Sequence, residues 1–158
     1  MAEPLADIVI RKIDQVTELY HRLVILVAPA GGGKTAALQD VHERTMAPLI
    51  NINLDLSRRM LDLTERQRAL RLPSLLSEIV GASANDVVLL DNIEVIFDIS
   101  LKQDPLRLLQ GLSRNRTVVS AWNGLINGEN MVYATPDHPE YRRYPVKDFL
   151  VVTPEAIS

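Results

Sequence analysis

The chain has 158 residues, of which 47% are hydrophobic and 23% charged, and its 17 basic and 20 acidic side chains give a net charge of −3. This length suffices for one hydrophobic core, so a single domain is predicted over residues 1–158. The absence of cysteine excludes disulfides and thiolate metal sites and suits a reducing cytoplasm. Apolar runs of about six residues are far short of the ~20 that cross a bilayer, so we expect a cytoplasmic protein without a membrane partner.

Helical and strand patterns alternate along the chain. An amphipathic helix is predicted within residues 1–22, and a wholly apolar strand follows at residues 23–27. Further helices are predicted at residues 34–45, 57–80 and 105–112. Further strands are predicted at residues 49–54, 87–90, 117–121 and 149–152. The alternation predicts an α/β fold with three layers and a mainly parallel, five-stranded sheet.

Two places interrupt this regular pattern. Pro73 lies inside the helical stretch 57–80, where we expect it to kink or split the helix. Residues 123–148 are rich in Gly, Asn, Pro and Tyr and are predicted to form an irregular insertion.

A glycine-rich motif follows the first strand. It reads Ala28-Pro29-Ala30-Gly31-Gly32-Gly33-Lys34-Thr35 and leads into the helix that continues with Ala36. Consecutive glycines allow backbone N–H groups to surround a phosphate chain, and the N-terminus of the next helix adds further donors. The sequence therefore predicts a P-loop, although Ala28 stands where that motif usually has glycine. The alternative is a glycine-rich turn with an exposed lysine.

The motif assigns a ligand role to each of its residues. Lys34 would reach the β- and γ-phosphates, and the hydroxyl of Thr35 would coordinate Mg²⁺. The predicted nucleotide-binding residues are Pro29, Ala30, Gly31, Gly32, Gly33, Lys34, Thr35 and Ala36.

An acidic residue ends the strand at 87–90. Ligands bind at the carboxyl ends of parallel strands, so Asp91 is expected beside Thr35 as a Walker B aspartate that holds Mg²⁺. Glu94 would share its face if the chain has turned helical, and is the candidate base for the attacking water. The residue directly after Asp91 is Asn92. Alternatively, Asp91 caps the next helix and Glu94 is a surface acid.

Other candidate catalytic residues surround the strand at 117–121. Asn123, or secondarily Ser120, could contact the γ-phosphate as a sensor, although Asn123-Gly124 also reads as a turn. An arginine finger, in cis or from a neighbouring subunit, would stabilise the charge that develops on the transferred phosphoryl group. The candidate fingers are Arg114, Arg116, Arg142 and Arg143.

This arrangement resembles the AAA+ and related P-loop ATPases over about residues 5–152. More narrowly, three stretches resemble the BrxF family of small P-loop proteins from bacteriophage exclusion (BREX) defence systems: LLDNIEVIFD (89–98), TVVSAWNG (117–124) and HPEY (138–141). The resemblance implies an extra strand between the P-loop strand and the Walker B strand. It also implies a role in antiphage defence beside other system proteins. The helical lid of full AAA+ proteins is not expected.

These observations predict a Mg²⁺-dependent ATP-binding protein, an ATPase whose nucleotide state controls self-assembly into a homo-oligomer or partner binding. A small-molecule kinase is the first alternative, with Asn53, Asp55 and Arg58 binding the acceptor. A non-hydrolysing, nucleotide-gated interaction module is the second. An arginine-rich stretch at residues 58–71 leaves DNA binding open, although interleaved acids favour a solvated helix face.

Overall fold

The computed structural model describes residues 4–154. The helices of this part are α1 (Leu5–Val16), α2 (Lys34–Thr45), α3 (Ile52–Met60), α4 (Glu65–Gly81) and α5 (Pro105–Leu112). Its strands are β1 (Leu23–Ala28), β2 (Leu49–Asn51), β3 (Val87–Asp91), β4 (Thr117–Asn127), β5 (Asn130–Tyr133), β6 (Arg142–Pro145) and β7 (Leu150–Val152). Two short 3₁₀ helices, Glu94–Phe97 and Ile99–Leu101, follow β3.

Five strands form a parallel sheet in the order β2-β3-β4-β1-β7. The predicted α/β fold with a mainly parallel sheet is therefore confirmed. Strand β4 lies between β1 and β3, so the carboxyl ends of these three strands meet at one edge of the sheet. We call this edge the carboxyl edge, and the edge at which these strands begin the amino edge. Ligands bind at the carboxyl edge in open α/β sheets.

Helices cover both faces of the sheet and make the three layers. Every residue of β1 is buried, and its side chains alternate between two hydrophobic clusters. Leu23 and Ile25 join the cluster under α3, α4 and α5, whereas Val24 and Leu26 join the cluster under α1 and α2. A strand buried on both faces needs a continuous apolar run, which is why the sequence of β1 is apolar throughout.

Strand β2 ends earlier than the predicted strand 49–54. The side chain of Asn51 accepts a hydrogen bond from the backbone N of Leu54 at 3.1 Å and so caps α3. The chain therefore turns helical at Ile52, and Asn53 lies in the first turn of α3 instead of in a strand.

The helical stretch predicted at residues 57–80 is divided at residues 61–64, between α3 and α4. Helix α4 continues through Pro73, so the predicted split at this residue is wrong, whereas the kink stays a prediction. Proline lacks the N–H that would bond to the carbonyl four residues earlier, here that of Ala69. The side-chain amide of Gln103 donates to this carbonyl at 2.8 Å. A distant side chain thus supplies the missing donor and allows proline within the helix.

The stretch 123–148, predicted to be irregular, contains antiparallel β-structure. Strand β4 continues to Asn127, and β5 and β6 pair beside it in antiparallel order. A Cβ atom at Gly124 would overlap the carbonyl oxygen of Val132, so only glycine allows this close approach of β4 and β5. The indole N–H of Trp122 donates to the same carbonyl at 3.2 Å. We call β5, β6 and the end of β4 the antiparallel extension.

None of the helices within residues 4–154 is long and apolar enough to cross a membrane.

Candidate functional site

Residues 29–33 form a glycine-rich loop between β1 and α2 at the carboxyl edge of the sheet. Gly31 and Gly33 have φ angles of +79° and +88°, a region that side-chain-bearing residues rarely adopt. Gly32 is required for a different reason, because a Cβ atom there would lie 2.9 Å from both the Cβ of Ala28 and the carbonyl oxygen of Pro29. A positive φ therefore explains two of these glycines, and a close contact explains the third.

Ala28 stands at the position where the motif usually has glycine. It is the last residue of β1 and is buried, with extended backbone that any residue can adopt. Its methyl group fits against Gly32, which has no side chain. The departure from the usual motif therefore does not strain the loop.

Lys34 is the first residue of α2, and its side chain folds back under the loop. The ammonium group donates to the carbonyl oxygens of Ala28 at 2.9 Å and Pro29 at 2.8 Å. Burial lowers the pKa of Lys34, and the nearby carboxylates of Glu94 and Asp91 oppose this shift. The lysine is 7% exposed, so the predicted alternative of a turn with an exposed lysine does not describe it.

Asp91 ends β3 and lies directly beside Thr35, although 56 residues separate them. The hydroxyl of Thr35 donates to Oδ2 of Asp91 at 2.7 Å, and Oδ1 accepts from the backbone N of Asn92 at 2.9 Å. The following 3₁₀ helix has Ile93 at its N-cap, so Asp91 does not cap it. The structure thus brings together the two residues predicted to hold a metal ion.

Lys34, Thr35 and Asp91 line a cleft of about 270 Å³, together with Glu94 and Asn123. Glu94 enters it from the first 3₁₀ helix, and Asn123 from β4, in register with Ala28 of β1. Both candidate residues therefore lie at the cleft.

Asn123 and Gly124 lie within β4, so the alternative prediction of a turn at these two residues is wrong. Ser120 is fully buried, and its hydroxyl donates to the carbonyl of Ala121 at 3.0 Å. Asn123, which lines the cleft, is the better placed of the two candidate sensors.

Asn53 is part of the supporting structure, a role that the sequence did not reveal. Its backbone N donates to the carbonyl of Asn92, and its side-chain oxygen accepts from the backbone N of Val95, both at 2.8 Å. The kinase alternative placed Asn53, Asp55 and Arg58 on an acceptor substrate, but none of the three lines the cleft. The only sequence signal for this supporting role is an asparagine two positions after Asn51, the cap of α3.

Arg114 and Arg116 precede β4 and lie at the amino edge, away from the cleft. Nη1 of Arg116 donates to three backbone carbonyls at the end of α4 and just beyond it: Val80 at 3.1 Å, Ser83 at 3.0 Å and Asn85 at 3.3 Å. The guanidinium of Arg114 lies 5.7 Å from the centre of the Tyr20 ring. Both arginines therefore contact structural groups of their own chain.

Arg142 and Arg143 lie on β6 in the antiparallel extension, and neither lines the cleft. Nη2 of Arg142 donates to the backbone carbonyl of Gln103 at 3.3 Å. Its buried Nε has no hydrogen-bond partner among residues 4–154. A finger role for any of the four arginines would act on the cleft of a neighbouring copy.

The cleft has oxygen donors suited to magnesium, the hydroxyl of Thr35 and the carboxylate of Asp91. Within residues 4–154 no group of three or more His, Asp or Glu side chains could hold a metal by itself. Magnesium commonly binds through one or two protein oxygens together with substrate phosphates and waters, and these residues fit that pattern.

No protein-family model matches the chain, and no curated protein matches it significantly.

Proposed function

We propose that this protein binds Mg²⁺-ATP and hydrolyses it, and that its nucleotide state controls self-assembly or partner binding. The observation that carries this proposal is the 2.7 Å hydrogen bond between Thr35 and Asp91. It joins the first turn of α2, which follows the glycine-rich loop, to the end of β3, and the buried Lys34 lines the same cleft. A phosphate-binding loop, a cation and a metal-binding pair then share one cleft.

Phosphate binding would use the loop and Lys34. The N-terminus of α2 presents free N–H groups and the positive end of its dipole to an anion at the loop. The ammonium of Lys34 already makes two hydrogen bonds to carbonyls of β1 and the loop, so it is held in place before a ligand arrives. A γ-phosphate would also offset the burial that lowers the pKa of Lys34.

Metal binding would use Thr35 and Asp91. Magnesium, when bound, neutralises charge on the β- and γ-phosphate oxygens. The Thr35 hydroxyl and the Asp91 carboxylate would hold the metal, and the backbone N of Asn92 donates to the same carboxylate.

Hydrolysis would use Glu94 and Asn123. Glu94 is the second carboxylate of the cleft besides Asp91, and it would accept a proton from the attacking water. The amide of Asn123 would orient the γ-phosphate or that water. The kinase alternative has less support, because the side chain of Asn53 is bonded to the backbone of Val95.

The biological setting that we propose rests on the resemblance to the BrxF family. It supports a role in antiphage defence with other proteins of such a system. None of the four candidate finger arginines lines the cleft, so a finger taken from among them would have to come from a neighbouring copy. DNA is a further candidate partner.

Phosphate release from Mg²⁺-ATP tests the proposal, with wild type compared to Lys34→Ala and Asp91→Ala. We expect both variants to lose release, whereas the exposed control substitutions Lys147→Ala and Asp62→Ala retain it. Equal release by wild type and both cleft variants would contradict the assignment. Binding without release in the wild type would instead support the non-hydrolysing module.

Sedimentation with and without a non-hydrolysable ATP analogue tests the coupling to assembly.

A further inference from the structure

We infer that Asn53 is a positioning residue that holds Glu94 at the cleft, so that hydrolysis depends on it while nucleotide binding does not. The inference rests on the proposed ATPase function. Asn53 makes two 2.8 Å hydrogen bonds to the segment after β3, one through its backbone N to Asn92 and one through its side-chain oxygen from Val95. These two contacts lie on either side of Glu94.

The segment 92–95 makes an unusual turn that benefits from such support. Asn92 has a φ angle of +52°, which is uncommon for a residue with a side chain. The chain thereby changes direction between Asp91, which ends β3, and Glu94, which begins a 3₁₀ helix. Because a short 3₁₀ helix has few internal hydrogen bonds, contacts from α3 contribute strongly to the direction of the Glu94 side chain.

The phosphate-binding residues are held by other contacts. Lys34 is fixed by Ala28 and Pro29, and Thr35 is bonded to Asp91. Asn53 does not line the cleft. Losing its side-chain oxygen should therefore loosen Glu94 and leave the contacts to a phosphate chain unchanged.

The chain offers matched variants for this test. Asn53→Leu keeps the approximate size of the side chain but removes the acceptor for the Val95 amide, and Asn53→Asp keeps an acceptor. The backbone bond from residue 53 to Asn92 persists in both. Asn51→Leu is the control, because it removes the cap of the same helix, at Leu54, without removing a bond to the segment 92–95.

Steady-state phosphate release and titration with a fluorescent ATP analogue separate turnover from binding. We expect Asn53→Leu to lower kcat by about 10- to 100-fold, the loss typical of a misplaced reacting group, and to change the Kd by less than about 2-fold. Asn53→Asp should stay within about 3-fold of wild type in kcat. Asn51→Leu should lower the melting temperature and keep kcat.

Hydrogen exchange at the Val95 amide gives a readout that is independent of turnover. It should become faster in Asn53→Leu and remain slow in Asn53→Asp. If Asn53→Leu does not fold, Asn53→Ala replaces it as the variant without an acceptor.

The outcomes distinguish a failure of the inference from a failure of the proposed function. If wild type hydrolyses ATP and Asn53→Leu keeps its rate, or if Asn51→Leu loses as much as Asn53→Leu, only the inference is overturned. If wild type binds Mg²⁺-ATP without releasing phosphate, hydrolysis itself is overturned and the inference with it.

Discussion

Both edges of the parallel sheet contain a cation bonded to backbone carbonyls, but the two cations have different surroundings. At the carboxyl edge, Lys34 donates to the carbonyls of Ala28 and Pro29, inside a cleft that also contains Asp91 and Glu94. At the amino edge, Arg116 donates to three carbonyls that follow or end α4. The bonds are alike, whereas the neighbouring groups are not.

This difference separates the binding role that we propose for Lys34 from the structural role of Arg116. The carbonyl of Val80 lies in the last turn of α4, where carbonyls have no partner within the helix, and those of Ser83 and Asn85 follow the helix. Arg116 therefore supplies a donor to groups that would otherwise depend on water. The carbonyls that bind Lys34 belong to a strand end and a loop, and two acids face the same ammonium. Because the protein only partly compensates the burial of Lys34, this cation suits the anion-binding role that we propose for it.

Exchanging each cation for methionine gives the largest expected difference between the edges. Lys34→Met should lower phosphate release by about 100-fold or more, as expected for loss of a charged donor to the transferred group. Its free energy of unfolding should fall less than that of Arg116→Met, because relief from burying the lysine charge offsets part of the loss of its two hydrogen bonds. Both quantities are measured on the same preparation, by phosphate release and by urea denaturation.

Arg116→Met should give the opposite result. Its free energy of unfolding should fall by about 1–3 kcal/mol, because three carbonyls lose a charged donor. Release per folded molecule should stay within about 2-fold of wild type. A large loss of release that is restored by mixing with Lys34→Met would instead identify Arg116 as a finger acting on a neighbouring copy.

Two glycine substitutions sharpen the same comparison. Gly32→Ala places a Cβ atom 2.9 Å from Ala28 and Pro29, so we expect a cost of about 1–3 kcal/mol in stability and weaker ATP binding. Gly81, at the end of α4 near the amino edge, has open space around the corresponding position. Gly81→Ala should raise stability by about 0.5–1 kcal/mol without changing ATP binding. Urea denaturation and nucleotide titration measure the two effects.

A smaller effect is expected from Tyr133, which connects the antiparallel extension to the carboxyl edge. Its ring stacks on Phe97 at a centroid distance of 3.5 Å. Burial, and then the charges of Glu140 and Glu94, raise the pKa of Tyr133 to about 12. The folded state therefore disfavours the phenolate, and stability that is fully present below pH 10 is lost as the pH rises from about 10 towards 12.

Urea denaturation at pH 8 and pH 11 measures this linkage. Wild type should lose about 1 kcal/mol more than Tyr133→Phe between these pH values, since the variant keeps the stacked ring but has no phenol. Equal losses in the two proteins would contradict the raised pKa.

The sequence alone was sufficient to predict those features whose physical cause is local or follows from strand direction. Apolar runs predicted the buried strands, and the rule that parallel strands place ligands at their carboxyl ends predicted Asp91 beside Thr35. The steric need for glycine at positions 31 and 33 was likewise visible in the motif.

The remaining features depend on partners that are distant in the sequence. Pro73 remains inside α4 because Gln103 donates to the carbonyl of Ala69, 34 residues away. The extension of β4 depends on a close approach between Gly124 and Val132. Asn53 supports the cleft through Val95, 42 residues further along the chain. Local periodicity contains no information about such pairs.

The volume of the cleft bears on which parts of a bound nucleotide its walls would contact. Pockets that enclose a drug-sized ligand usually measure about 300–1,000 Å³, whereas this cleft measures about 270 Å³. The cleft therefore suits a phosphate tail, and the sugar and base would extend beyond its walls. Inorganic tripolyphosphate should then compete with ATP for the same contacts, and discrimination between purines would depend on surfaces outside them.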